Sequence, residues 1–221
     1  MSLCRTSVVL FPDVELLDVA GPVELLARVE GLDVQLVSRN GTQVRSSQRV
    51  ALAEHGDPAA MDGDVLLVPG GMGTRALVHD GAFLAELARM ARTADIVASV
   101  CTGSALLAAA GLLAGYSATS NKRAFDWASS FGTDIDWRRS ARWVHDRDRW
   151  TSSGVAAGMD MASALVAHYV GETTAQEITD AIERKAQDFG ETGIGAAGGR
   201  RQAKRAIRVG CHLSGAESSI A

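Results

Sequence analysis

The chain has 221 residues, 47% of them hydrophobic and 22% charged, a balance that supports a packed core and excludes an intrinsically disordered chain. One domain is the default at this length. With 22 Lys and Arg against 26 Asp and Glu the formal charge is −4, which argues against nucleic acid or an anionic membrane surface as partner and leaves a small molecule.

Met1 to Arg5 run directly into a strand-like stretch without the regions of a signal peptide, and no run approaches the roughly 18 apolar residues that span a bilayer. A cytoplasmic protein with no membrane association is expected. The three cysteines, Cys4, Cys101 and Cys211, are too few and too irregularly spaced for a disulfide framework or a Cys-x-x-Cys zinc site, so free thiols are expected.

In chain order, Ser7 to Phe11 reads as a strand stopped by Pro12, and Gly21 to Val29 as a helix with proline in its first turn. Residues 33–38 form a second apolar run. The pieces 42–46 and 48–53 look like a small hairpin beside the main sheet. Asp64 to Val68 is the continuous apolar run that a strand buried on both faces requires, and it opens into Pro69-Gly70-Gly71-Met72-Gly73. Residues 81–92 repeat apolar positions at helical spacing. Ile96 to Val100 is a further strand that feeds directly into Cys101 and an Ala- and Leu-rich helix reaching Leu113.

Beyond it, residues 116–120 read as a short strand and 122–130 as a helix. Strands at 141–144 and 149–152 surround His145-Asp146-Arg147-Asp148. Residues 158–170 form a mostly apolar helix, and Thr173 with Gln176 offers a capping box for a last helix to about Phe189. The α/β domain is therefore expected over 1–189. A mobile tail rich in Gly, Ser, Ala and Arg is expected over 190–221. Alternating strands and helices predict a mainly parallel sheet covered on both faces, with ligands at the carboxyl ends of its strands. The loops 12–21, 69–73 and 101–104 all follow such ends.

A cysteine between strand and helix has two reasons to be a nucleophile: the helix N-terminus favours the thiolate, and the sharp turn lifts the sulfur off the sheet. The alternative is a buried packing cysteine. Asp18 lies in the apolar stretch Leu16 to Pro22, where an unpaired carboxylate is costly to bury, so it either partners another group or caps the following helix. Beside a thiol it could serve as general acid or base. Gly70, Gly71 and the Thr102 amide could bind developing negative charge, or simply make a tight turn. The five histidines have no local support as catalytic bases, and they form no metal-ligand pattern with the acids.

Three segments together, Leu10-Phe11-Pro12 with Leu17-Asp18 and Gly21-Pro22, Val68-Pro69-Gly70-Gly71, and Ser99-Val100-Cys101-Thr102-Gly103-Ser104, resemble the ThiJ/PfpI superfamily, most closely its isonitrile (isocyanide) hydratase-like branch. The resemblance covers residues 7–170. It implies a flavodoxin-like sandwich and a homodimer, with no cofactor and no metal. It also implies Cys101 as nucleophile and Asp18 as its acid partner in hydrating an isonitrile to an N-substituted formamide, with Gly71 and Thr102 lining the pocket. Related hydratases carry a histidine after the strand that ends here in Ala118-Thr119-Ser120; this chain has Asn121-Lys122, so Asn121 joins the pocket's polar lining. The protease branch has a histidine directly after the cysteine, where this chain has Thr102. Two alternatives are carried: a glyoxalase- or deglycase-like enzyme acting on reactive carbonyls, and a non-catalytic thiol or ligand sensor. Similar domains head AraC-type regulators, but the helix-turn-helix region of such a protein is not expected in the short tail.

Overall fold

The computed structural model describes residues 4–39, 41, 43–53, 64–184 and 190–192. Its elements in chain order are β1 (Cys4–Leu10), α1 (Leu16–Leu26), β2 (Leu32–Ser38), β3 (Val44–Arg45), β4 (Ala51–Leu52), β5 (Val65–Val68), α2 (Thr74–Leu77), α3 (Gly81–Ala91), β6 (Ile96–Val100) and α4 (Gly103–Ala109). There follow β7 (Ser117–Ala118), a 3-10 turn (Lys122–Ala124), α5 (Phe125–Ala128), β8 (Asp136–Trp137), β9 (Trp143–Asp146), β10 (Arg149–Ser152), α6 (Ala157–Val170), α7 (Glu172–Ala181) and β11 (Gly190–Thr192).

The main sheet has the order β2-β1-β5-β6-β10-β9-β11 and is parallel except that β9 runs antiparallel to β10. Every residue of β5 and β6 is buried, as central strands covered on both sides must be. One set of helices packs α1 on α6 and α6 on α7; another packs α2 and α3 on α4, which lies against β5 and β6. The chain moves one way across the sheet from β1 to β2 and the opposite way from β5 to β6. With right-handed crossovers, that reversal sends the two helix sets to opposite faces. It also opens a crevice at the carboxyl ends of β1 and β5, the flavodoxin-like switch point.

Several elements depart from the sequence reading. Helix α1 begins at Leu16, not Gly21, so Asp18 stands in its first turn rather than capping a helix at Pro22, and Pro22 is internal. Burial of Val19, Leu25 and Leu26 along one side outweighs the lost N–H of the proline. The strand at 116–120 lies outside the main sheet: β7 pairs with β8, a strand too short to stand out by periodicity. His145 and Asp146 belong to β9, and the hairpin turn is only Arg147-Asp148, with Arg147 at φ 58°. Gly171 at φ 89°, without a side-chain cap, opens α7 where Thr173 and Gln176 suggested a capping box. Helix α7 ends at Ala181, and residues 185–189, expected to continue it, lie outside the described residues. In the segment expected as a tail, Gly190 to Thr192 pair with β9 as the sheet's last strand; residues 193–221 lie outside the described residues.

Candidate active site

β6 ends at Val100, and Cys101 turns the chain into α4 with φ 58°, a left-handed conformation that side chains rarely adopt. Backbone hydrogen bonds hold it there. The Cys101 amide donates to the carbonyls of Ser152 (3.1 Å) and Ser153 (3.3 Å) at the end of β10. Its carbonyl accepts from Ser104 Oγ (3.1 Å) and Ser120 Oγ (3.0 Å). A strained residue persists only when its surroundings overdetermine it, and strain of this kind gathers at functional sites. The helix approaches the β5 end so closely that a Cβ at Gly103 would lie 2.1 Å from the Val68 carbonyl oxygen.

Asp18 is 0% exposed and Cys101 is 6% exposed. Asp18 Oδ2 accepts from the Gly70 amide at 3.0 Å. Its Oδ1 is buried and accepts no hydrogen bond from the described residues, and the charge of the carboxyl acts on the Cys101 thiol. Burial pushes the Asp18 carboxyl up to about 7, against the pull of the Gly70 amide and with a further push from the charge of Glu15. Burial, then the Asp18 charge, push the Cys101 thiol up to about 12, while the Thr102 amide and the Asn121 side chain pull it down.

The two glycines predicted as donors are already engaged. The Gly70 amide holds Asp18, and the Gly71 amide donates to Thr102 Oγ1 at 3.1 Å, which also lies 3.1 Å from Thr74 Oγ1. A Cβ at Gly70 would meet the Thr102 nitrogen at 2.6 Å and Asp18 Oδ2 at 2.9 Å. Gly70 is therefore the gap through which the acid and the elbow approach each other. Asn121 Nδ2 donates to Cys101 Sγ at 3.2 Å. Cys101, Asp18, Gly70, Gly71, Thr102 and Asn121 thus share one cluster at the carboxyl ends of β1, β5 and β6.

Ser104, Ser120, Thr74 and Gly154 escaped the sequence reading. The Ser152-Ser153-Gly154 strand end was visible, but only its pairing with β6 puts it beside Cys101. Among the described histidines, His145 stacks on Trp150 and lies edge-on to His168, and His79 lies edge-on to Phe131. No imidazole among the described residues is one of the groups acting on the Cys101 thiol. Among the described residues no cluster of three or more His, Cys, Asp or Glu could hold a metal ion, and no helix is long and apolar enough to cross a membrane.

Isonitrile hydratase of Pseudomonas putida is 37% identical over 177 residues, covering 79% of this chain and 75% of that protein. The HTH-type transcriptional regulator GbdR of Pseudomonas aeruginosa is 30% identical over 182 residues, which is 78% of this chain but 46% of the regulator. A solved ThiJ/PfpI family protein from Pseudomonas syringae matches with a TM-score of 0.78 at 32% identity, covering 85% of this chain and 77% of that one. The DJ-1/PfpI family matches residues 5–168, a span that holds all six residues of the cluster. With the elbow, the flavodoxin-like sheet order and these likenesses in agreement, the chain belongs to the DJ-1/PfpI family.

Proposed function

We propose that this protein is a cofactor-independent lyase that hydrates an isonitrile to an N-substituted formamide, with Cys101 as nucleophile and Asp18 as general acid and base. The observation that carries this reading is the buried Asp18–Cys101 pair at the elbow, in a chain 37% identical to isonitrile hydratase.

The thiol is a poor nucleophile until it loses its proton, and Asp18 is the side chain positioned to take it. Sulfur bonds to the terminal carbon of R–NC, and Asp18 returns the proton to that same carbon, giving the thioimidate Cys–S–CH=N–R. Water then adds to the thioimidate carbon as Asp18 relays a proton to nitrogen. The adduct Cys–S–CH(OH)–NH–R collapses, the C–S bond breaks, and formamide and free thiol leave. The sum is one isonitrile and one water in, one formamide out. Gly70 serves by fixing the acid, its amide donating to Asp18 Oδ2, and Thr102 braces the elbow, its Oγ1 accepting from the Gly71 amide.

Formamide production from cyclohexyl isocyanide tests this directly. Turnover is expected in the wild type, abolished in Cys101→Ala and lowered about 10²–10⁴-fold in Asp18→Asn. A folded wild type that turns over no isocyanide overturns the reading. A second reading rests on the likeness to GbdR: the domain senses a small ligand without consuming it. Ligand-induced stabilisation without product is its signature.

A further inference from the structure

Resting on the reading of Cys101 as nucleophile, we propose that Asn121 acts on the sulfur itself: its side-chain amide turns the thiol proton toward Asp18 and stabilises the thiolate, and Gly154 keeps open the space that the amide needs.

One side-chain N–H is directed at Sγ, that of Asn121 Nδ2 at 3.2 Å. A thiol has one proton and can accept on its remaining sides. With the Asn121 donor on one of them, the S–H proton needs an acceptor elsewhere, and the buried Asp18 carboxyl, whose Oδ1 accepts no hydrogen bond from the described residues, supplies one. When the proton passes from Sγ to Asp18, the Asn121 N–H faces a full negative charge, where a hydrogen bond is about twice as strong as between neutral groups.

The local structure dictates that Asn121 presents nitrogen rather than oxygen to the sulfur. Its Oδ1 accepts from the Arg123 amide (3.0 Å) and the Ala124 amide (3.1 Å), capping the 3-10 turn. Flipping the amide would set N–H against both of those N–H groups and an oxygen against sulfur. Two further bonds anchor the segment: Lys122 Nζ donates to Thr119 Oγ1 at 2.7 Å, and Ser120 Oγ donates to the Cys101 carbonyl at 3.0 Å. On the far side, a Cβ at Gly154 would lie 2.1 Å from Asn121 Nδ2 and 2.9 Å from Cys101 Sγ. Gly154 is thus a positioning residue that acts through Asn121 and the sulfur. Because an amide does not titrate, the charge acting on the thiol from the described residues is that of Asp18 on α1, itself influenced by Glu15.

Alkylation of Cys101 by iodoacetamide, read by peptide mass mapping, tests the arrangement without any isonitrile. Asn121→Asp keeps an oxygen to cap Arg123 and Ala124 but cannot donate to sulfur and adds a negative charge beside it, so Asn121→Ala, which adds none, is measured with it to isolate the hydrogen bond. In each, Cys101 alkylation at pH 8 is expected to fall at least about tenfold, the loss of one hydrogen bond to a charged group, with thermal unfolding close to wild type for Asn121→Asp. Should that variant not fold, Asn121→Ala carries the same expectation. Gly154→Ala, with Asn121 in place, slows alkylation too, and costs less in an Asn121→Ala background than in the wild type. Wild-type alkylation in the folded Asn121 variant, or equal costs of Gly154→Ala in both backgrounds, overturns the proposal. Slowed alkylation in a protein that hydrates no isocyanide leaves the role of Asn121 standing and removes only the substrate.

Discussion

Burial holds the Asp18 carboxyl near a pKa of about 7 in the folded chain, whereas an unfolded aspartate titrates near 4. Between those pH values the folded protein keeps a proton that the unfolded chain has released. Stability from this group is therefore fully present below about pH 4 and is lost as pH rises through about 7, by on the order of 2–4 kcal/mol. Asp18→Asn keeps an acceptor for the Gly70 amide and abolishes the ionisation, so the variant is expected to be more stable than wild type at pH 8 and nearly equal at pH 4. Urea denaturation at the two pH values checks this. The same carboxyl must be ionised to accept the thiol proton, so kcat/KM on isocyanide is expected to rise as pH climbs through about 7. With the thiol pushed up to about 12, no second limb should follow before strongly alkaline pH. Loss of stability and gain of reactivity come from one buried side chain.

At the scale of elements, the junction of β6 and α4 does most to place the chemistry. Its tightest point is Gly103, which crosses the Val68 and Pro69 carbonyls at distances that leave no room for a Cβ. Gly103→Ala is expected to destabilise the fold by about 1–3 kcal/mol and to lower turnover, because relief of the contact moves α4 and with it the sulfur. Thermal unfolding alongside an isocyanide assay separates the two effects. Helix α1 carries Asp18 in its first turn, and its internal Pro22 offers no N–H to the Asp18 carbonyl four residues back. The first turn is fixed at its tip by Gln48 from the β3–β4 hairpin, whose Oε1 accepts from the Leu16 amide at 3.0 Å and whose Nε2 donates to Glu15 Oε1 at 2.7 Å. These two bonds tie the small hairpin to the start of the acid's helix.

Across the whole molecule, a second buried carboxylate ties distant parts of the chain together. Asp160, in the first turn of α6, is 4% exposed and binds both Arg142, just before β9, and Arg184, after α7. Arg184 also donates to Ser163 Oγ at 2.8 Å. Removing one member of a buried charged set leaves the others desolvated without compensation. Asp160→Ala is expected to cost about 3 kcal/mol in urea unfolding while leaving the alkylation rate of Cys101 unchanged; a loss below about 1 kcal/mol would show that the set is solvent-screened.

The parts of this protein whose signal is local are legible along the chain. Central strands β5 and β6 announce themselves as continuous apolar runs, α3 by its spacing and α6 as a mostly apolar stretch. Cys101 and Asp18 stood out because each breaks its own surroundings, a thiol at a strand-to-helix junction and an acid in an apolar stretch. Long-range packing sets the start of α1, where burial overrides a proline signal, and the strands β8 and β11, whose two or three residues carry no periodicity. It alone brought Asn121, 20 residues beyond Cys101, and Gly154, farther still, against the sulfur. The family resemblance put Asn121 in the pocket lining, but nothing along the chain pointed it at the sulfur, and a glycine at a strand end looks ordinary. Their meaning lies in what faces them across the sheet, and strand pairing between distant segments sets that.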